Sequence, residues 1–526
     1  MQYLTDREAR AQGKSAARHR HRAVKPEAAG GFPRSLMLTA LGAVLPGIAF
    51  IAAGRRCLGA ITLSITFLIA VGGLWLATAG RRTALHAAVD PTTLTRIGIA
   101  MILLALVWIV IVAAGYRMVR LVDATAAQRL TGSLVACVLC LVVAAPPAAA
   151  ARYAFVQRGL ITTVFADGTK SATRPKAVTK GNPWSGRERV NLLLLGSDAG
   201  RGRDGTRTDS VVVASINTKT GDTVLLSLPR NLERLPFPEG PLRDAYPDGF
   251  RAPGGDGEQF LNAVYGAVPA THPDILGPTD NLGADVLKLG VGEALGLKLD
   301  YYLMINLEGF AQLVSALGGI TVNINEWVPI GGSDTNLPSD YLAPGPDQHL
   351  SGVNALWFAR GRYGTSDYAR MKRQRCVIGA IIAEADPVTV LNRYRQLAEA
   401  TKDLVRTDIP QPLLSAFVDL SLLIKEATVR SVVFDNTVIR AGNPDYDLIR
   451  AKAAAAIASP ASASPPSTPP SPVSSSVPAP RRTPSPGAES GPVEAGLAET
   501  LETSCAYDSL RAQKALLKGK PATKRR

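Results

Sequence analysis

Three apolar runs near the start constrain this chain more than any other feature. Residues 58–80, 97–115 and 131–151 are each close to the length that spans a bilayer's hydrocarbon as a helix, and "IGIAMILLALVWIVIVAAG" carries no charge. In lipid, a segment of this kind satisfies its backbone only as a helix or within a closed barrel. A fourth run, residues 35–54, has Pro46 and Gly47 at its centre, where a helical ladder is interrupted. Residues 35–151 are therefore expected to form a membrane region of three or four apolar helices. Residues 1–34 carry eight Lys or Arg, which the positive-inside rule places in the cytoplasm. If 35–54 is re-entrant or interfacial, Arg55, Arg56, Arg117, Arg120 and Arg129 stay inside and Arg81, Arg82 and Arg96 lie outside. That distribution favours three crossings, a multi-pass anchor in the cell membrane and an extracytoplasmic domain.

Beyond a linker at 152–187, residues 188–440 read as a globular α/β domain. "VNLLLLG", "SVVVASIN" and "DTVLLSLPR" are buried-strand patterns, and "GFAQLVSALGG" is an amphipathic helix closed by glycine. "GITVNIN" follows as a strand, "ALWFARGR" is read as extended, and "SDYARMKRQRCVIGAIIAEA" is read as a helix with Asp367 as a cap. Alternating strands and helices imply helices packed on a mostly parallel or mixed sheet. Residues 441–496 are rich in Pro, Ser and Ala, a composition for a disordered spacer. Residues 497–526 form a short closing segment, helical in propensity and basic at its end. No internal repeat is evident.

The opening of the domain, "VNLLLLGSDAGRGRDGTRTDSVVVASIN", sets the chemical problem. Asp198 follows the first strand through a turn, at the strand end where open α/β sheets bind ligands. Arg207 and Asp209 are two residues apart at the start of the next strand, so their side chains share a face. Two converging carboxylates can hold a hard divalent cation whose shell is completed by water and phosphate oxygens. Two loop aspartates capping turns fit the segment equally well. The arginines add weight to the ligand reading. Arg230 ends the third strand, Arg360 and Arg362 share a face if their stretch is extended, and Arg370, Arg373 and Gln374 fall at i, i+3 and i+4 of a helix. A guanidinium fork matches phosphate geometry, although any single arginine is more often a solvated surface charge.

Other chemistry is thin. The domain holds two histidines, His272 and His349, far apart, and there is no P-loop, G-x-S-x-G or H-E-x-x-H. Five cysteines exclude a disulfide-framework fold and a four-cysteine zinc pair. The net charge of +15 suits nucleic acid, anionic lipid or phosphate ligands. Its densest run abuts the membrane and no basic patch is interleaved with aromatics, so nucleic acid is set aside as a partner.

"LLLLGSDAG", "RTDSVVVASIN", "LLSLPRN", "LNAVYG", "YYLMINLEGFAQLVSALGGITVNI" and "LSGVNALWFARGRYGTSDYARMKRQR" occur in the order of the LytR-CpsA-Psr (LCP) family, which the chain resembles over about 188–385. The resemblance implies an α/β/α sandwich around a central mixed sheet, with an apolar groove for a prenyl chain. It implies a phosphotransferase that moves a glycopolymer from a polyprenyl-pyrophosphate carrier to peptidoglycan at the membrane lipid surface, assisted by magnesium, with manganese as the alternative ion. Carried over by position, Asp198 and Asp209 would hold the metal. Arg207, Arg230, Arg360, Arg362, Arg370 and Gln374 would grip the pyrophosphate, with Arg373 in support, and Asp198, Asp209, Arg207 and Arg362 would be the catalytic set. Asn231 stands where the family commonly has Asp. A pyrophosphatase acting on the same lipid and a non-catalytic wall-binding or regulatory protein remain the alternatives. Cys376 and Cys505 would both be exported, where disulfides persist, and either pair or stay as two free thiols.

Overall fold

In the computed structural model of the chain, the described residues are 31–120, 124–165, 170–176, 178–198, 206–252, 254, 257–333, 335–385, 405–459 and 498–524. The basic residues 1–30 and the spacer residues 460–497 lie outside them. The chain divides into two compact units, Met1–Ala79 with Gly98–Arg152, and Gly80–Ile97 with Tyr153–Arg526.

The helices of the membrane region are α1 (Phe32–Val44), α2 (Ile48–Ala52), α3 (Arg56–Ala77), α4 (Arg81–Val89), α5 (Pro91–Val119) and α6 (Ala126–Val164). Among the described residues, α3, α5 and α6 are long and apolar enough to cross a membrane, with mean hydropathies of 2.1, 3.0 and 2.4. The run at 35–54 does break at Pro46–Gly47 into α1 and α2, both short. Gly47 has φ 117°, and a Cβ there would come within 2.5 Å of the Gly59 carbonyl oxygen, so the turn requires glycine. Trp108 Nε1 donates to the Ala43 carbonyl (3.1 Å), tying α1 to α5.

The second unit is built on strands β1 (Arg189–Ser197), β2 (Thr208–Asn217) and β3 (Thr223–Leu228). Helices α7 (Pro241–Ala245), α8 (Val264–Thr271) and α9 (Leu282–Leu295) follow. Next come β4 (Tyr301–Asn306), α10 (Leu307–Leu317), β5 (Ile320–Ile324), β6 (Val328–Ile330), β7 (Asp340–Leu342) and β8 (Gly345–Leu350). The chain continues through α11 (Gly352–Arg360), α12 (Asp367–Glu384), β9 (Val405–Thr407), α13 (Leu414–Glu426), β10 (Val429–Val433) and α14 (Tyr446–Ala458). It closes with β11 (Glu499–Thr500), α15 (Leu501–Ser504) and α16 (Ser509–Leu517).

Among the described residues, seven strands form one mixed sheet in the order β11-β10-β3-β2-β1-β4-β9, with β1/β4 and β3/β10 parallel and the other pairs antiparallel. Strand side chains alternate between faces, so each face carries its own core. Leu193, Leu195, Val211, Val213 and Leu226 pack under α8, α9 and α14, while Val190, Val212, Ala214 and Leu225 pack under α13 and α15. This is the expected α/β/α arrangement. Pairs β5/β8 and β6/β7 form two small sheets around a third core with Phe358 and Val377.

Four expectations from the sequence change in the structure. "ALWFARGR" is mostly helix rather than extended. Ser351 caps α11 by accepting from Asn354 N, and Ala355 and Phe358 are buried at helical spacing. The domain does not stop at 440, because Ile449, Ala453 and Ala456 of α14 belong to its core. The segment at 497–526 is not separate either, since β11 pairs with β10 and Cys505 is joined to Cys376 by a disulfide with Cα atoms 5.6 Å apart. Part of the linker at 152–187 is also ordered against the domain, with Ser171 Oγ and Ala172 N both donating to the buried Asp285.

Candidate active site

Strands β1, β3, β4 and β10 run in one direction, so their carboxyl ends share an edge with the start of antiparallel β2. Asp198, Arg207, Asp209 and Arg230 therefore meet at that edge, although 32 residues of sequence separate the first from the last. The register of β1 against β2 shifts between Gly196 and Ser197. Just past the shift, Asp198 N donates to the Arg207 carbonyl (3.1 Å) and Arg207 N donates to Asp198 Oδ1 (3.0 Å). Residues 199–205 lie outside the described residues.

The closest charge network is centred on two carboxylates. Arg230 donates to Asp209 Oδ1 (2.8 Å), and Asn262 Nδ2 approaches the same oxygen (3.3 Å). Asp367 lies between Arg230 (3.4 Å), Arg370 (3.0 Å) and Arg362 (3.9 Å). Arg370 is buried and also donates to the Asp209 carbonyl (3.0 Å). Burial alone would raise the Asp209 pKa, but Arg230 first, then Arg370 and Asn262, outweigh it and hold the carboxyl below its ordinary range. Arg230 is shifted up against its own burial by Asp209 and Asp367. Arg370 is shifted down, chiefly by burial, with Asp367 and Asp209 opposing the fall and Arg230 and Arg362 adding to it. Three guanidinium groups here face two carboxylates, an excess of one positive charge.

The other residues expected at the site take different partners. Arg207 forms an ion pair with Glu258, not with Asp209. Arg360 lies over the Trp357 ring, 5.5 Å from its centroid. With α11 helical, Arg360 ends the helix and Arg362 follows Gly361 in the loop, so the shared extended face is not formed. Arg373 donates to the carbonyls of Phe358 (2.7 Å) and Gly361, and Gln374 Nε2 approaches that of Ala359 (3.4 Å). These two side chains brace the end of α11 and the loop that carries Arg362. Burial lowers Arg373 to about 10, which leaves it charged at neutral pH.

The N-cap of α12 is Ser366, which accepts from Ala369 N, rather than the expected Asp367. The carboxylate is thus left to organise three arginines. Its spacing of three residues from Arg370 was the available signal. Glu258 and Asn262 gave no comparable signal, because they arrive from the segment before α8. Asn231 Oδ1, Asn262 Oδ1 and Thr208 Oγ1 are buried without hydrogen-bond partners among the described residues.

For a metal, the donor chemistry is hard oxygen, and among the described residues no hydrogen bond reaches Asp209 Oδ2. No group of three or more His, Cys, Asp or Glu is gathered for a metal among the described residues. A cation held by Asp198 and Asp209 would therefore need water or phosphate oxygens for the rest of its shell. A cavity of about 380 Å³ lies along the loop beyond Arg230, lined by Arg234, Phe237, Arg243, Tyr246 and Tyr446 among others. A cavity of about 1160 Å³ lined by Leu276, Leu289, Leu297 and Leu299 adjoins the start of β4, at the sheet edge away from the arginines.

The model of the LytR_cpsA_psr family matches residues 159–458. The chain belongs to this family. Among LytR_cpsA_psr relatives, biofilm regulatory protein A of Streptococcus mutans is 28% identical over 272 residues, which cover 50% of this chain and 60% of the relative. The polyisoprenyl-teichoic acid–peptidoglycan teichoic acid transferase TagU of Enterococcus faecalis is 30% identical over 227 residues, covering 42% of this chain and 62% of the relative. The matched region thus spans about three fifths of each of these two relatives. Of solved structures, protein gbs0355 of Streptococcus agalactiae aligns with TM-score 0.36 at 25% identity, covering 47% of this chain and 77% of that one. TagV of B. subtilis aligns with TM-score 0.34 at 21% identity, covering 51% and 96%.

Proposed function

We propose that this protein transfers a glycopolymer from a polyprenyl-pyrophosphate carrier to peptidoglycan. The observation that carries the reading is the arginine cluster around Asp209 and Asp367 at one sheet edge. A pyrophosphate brings the negative charge that this cluster lacks, and fixed guanidinium groups stabilise charge building on phosphate oxygens during transfer. The acceptor hydroxyl oxygen bonds to the phosphorus next to the sugar, the bond from that phosphorus to the bridging oxygen breaks, and prenyl phosphate leaves. The hydroxyl proton passes to solvent. Arg230 and Arg370 grip the phosphates from the sheet edge and from α12, and Arg362 reaches them from its loop. Asp198 and Asp209 would hold magnesium, which supplies further positive charge to the phosphate oxygens when bound. The lowered Asp209 pKa suits a carboxylate that stays ionised for a cation rather than one that takes up a proton. The Enterococcus relative, a polyisoprenyl-teichoic acid–peptidoglycan teichoic acid transferase, supports the same donor and acceptor classes.

We place the domain outside the cell membrane on a three-pass anchor. Residues Gly80–Ile97 share a unit with the domain, and Arg82 of α4 pairs with Asp419 of α13 (3.2 Å). A loop and a domain on one face of the bilayer fit two crossings between them, by α5 and α6, and one earlier crossing by α3. The test is the full chain in nanodiscs with a polyprenyl-pyrophosphate glycan, peptidoglycan fragments and magnesium. Magnesium-dependent joining of sugar to the acceptor, with release of prenyl phosphate, is the expected result. Cleavage without joining would replace the reading with a pyrophosphatase, and neither product would replace it with a binding role.

A further inference from the structure

Beyond residue 165, six large apolar side chains are exposed among the described residues: Leu337, Val353, Leu448, Leu510, Leu516 and Leu517. Three of them belong to the nine-residue helix α16, where Leu510, Leu516 and Leu517 are 78%, 46% and 89% exposed. A fourth, Leu337, adjoins Pro338, whose carbonyl accepts from Lys524 N (2.8 Å) just beyond the same helix. Scattered single leucines need no explanation, but a cluster of this kind does.

Helix α16 is firmly docked, and by its other side. Ala512 is fully buried, Trp327 Nε1 donates to the Ala515 carbonyl (3.1 Å), and Asn325 bonds both Ala506 O (3.1 Å) and Asp508 N (2.9 Å). The Cys376–Cys505 disulfide ties the segment down just before the helix. At 100° per residue, Leu510, Lys514 and Leu517 fall within about 60° of one another on the side opposite Ala512, and Lys518 follows at the C-cap. The helix thus buries Ala512 and presents Leu510 and Leu517 outward, the reverse of a helix whose only task is to pack on a domain.

The cations follow the leucines. Residues 509–526 contain no Asp or Glu. Arg511 is paired with Glu326 (2.8 Å) and Lys520 with Asp340 (2.5 Å), whereas Lys514 and Lys518 have no ion-pair partner among the described residues. Leucines flanked by unpaired lysines on one helical face match an anionic phospholipid surface in both apolarity and charge. The same chain carries α3, α5 and α6, which have the length and composition of membrane spans.

We propose that the outer face of α16, with Leu510, Leu517, Lys514 and Lys518, seats on the anionic headgroup surface of the bilayer in which the chain is anchored. The contact reaches the arginine cluster through α12, whose Arg375 pairs with Glu499 (3.2 Å) and whose Cys376 holds Cys505. The inference rests on the surface of α16 and stands whether or not the transferase reading holds.

The test is site-directed spin labelling of the full chain in nanodiscs. Cys57, Cys137 and Cys140 are replaced by serine, and a nitroxide is placed at Leu517→Cys or, as a control on α14, at Asp447→Cys. Discs are made of phosphatidylcholine alone or with phosphatidylglycerol. The label at 517 should gain access to oxygen and lose access to a nickel chelate as the phosphatidylglycerol fraction rises, while the label at 447 stays in water. Adding Lys514→Glu and Lys518→Glu should return the 517 label to water. Because Leu517 is almost fully exposed, its substitution leaves the fold intact, and mapping of the Cys376–Cys505 bond verifies this. A 517 label that stays in water in both lipids overturns the proposal. Protection that appears only on adding an anionic wall polymer, or only as protein concentration rises, assigns the face to that polymer or to a second copy and overturns it equally.

Discussion

Asp367 touches three guanidinium groups, and Arg370, the most buried of them, has little solvent to fall back on. Replacing this carboxylate with an amide leaves the arginines to repel one another. Asp367→Asn should therefore lower both transfer and thermal stability. Arg362 is 48% exposed at its side chain and packs little, so Arg362→Ala should reduce transfer by about 10²–10³-fold, the usual cost of a lost preorganised donor, with an unchanged melting temperature. Assaying both variants for transfer and melting separates a group that acts on the ligand from one that positions its neighbours. Asp209 adds a pH signature. Its folded pKa lies below the ordinary 3.8, so its contribution to stability is present above that value and lost as pH falls through the lowered one. In melts taken between neutral and strongly acid pH, Asp209→Asn should lack that component of the acid loss. A variant whose acid profile overlays the wild type would show that the Arg230 pair contributes nothing.

At the scale of elements, α12 joins the site to the far end of the chain. Its first turns carry Asp367 and Arg370, and its next residues hold the closing segment through Arg375, Cys376 and Gly379, where a Cβ would come within 2.9 Å of Leu501. The Cys376–Cys505 bond encloses 129 residues of sequence separation, which includes the Pro/Ser/Ala stretch. Closing a loop of that length restricts the unfolded chain by about 5 kcal/mol in the chain-entropy model. Cys505→Ser should lower the melting temperature by several degrees, and reductant should bring the wild type to the same value. Identical melts with and without reductant would mean that noncovalent contacts hold the segment unaided.

The second unit is completed by residues remote in sequence from its core strands. β11 covers the outer edge of β10, and α15 adds Leu501 to the core beneath the sheet. Without that strand, β10 presents unpaired backbone groups, a template for association between chains. Deleting residues 498–526 should lower the melting temperature and shift the protein toward higher-order species in size-exclusion chromatography. A monodisperse deletion variant with wild-type stability would show that the closing segment is dispensable to the fold.

Much of this protein was legible in its sequence because the relevant physics is local. A run of apolar residues long enough for a bilayer needs no partner to be recognised, and α3, α5 and α6 stand where those runs are. The strand patterns at β1, β2 and β3 were equally clear, since buried strands carry their apolarity on both faces, and turns placed Asp198 and Arg230 at strand ends. Pairing is another matter. Whether Arg207 meets Asp209 or Glu258, and whether Arg373 faces a ligand or the carbonyls of α11, depends on which elements pack together. Pattern also failed for "ALWFARGR", where a capping serine and two buried side chains at helical spacing outweighed an extended reading. The sequence by itself determined the membrane helices, the α/β class and the residue types available for phosphate chemistry, because periodicity and composition act over a few turns. Only the tertiary structure decided that Asp367 would meet Arg230 and that β11 would complete the sheet on β10, because both depend on which elements distant in sequence pack together.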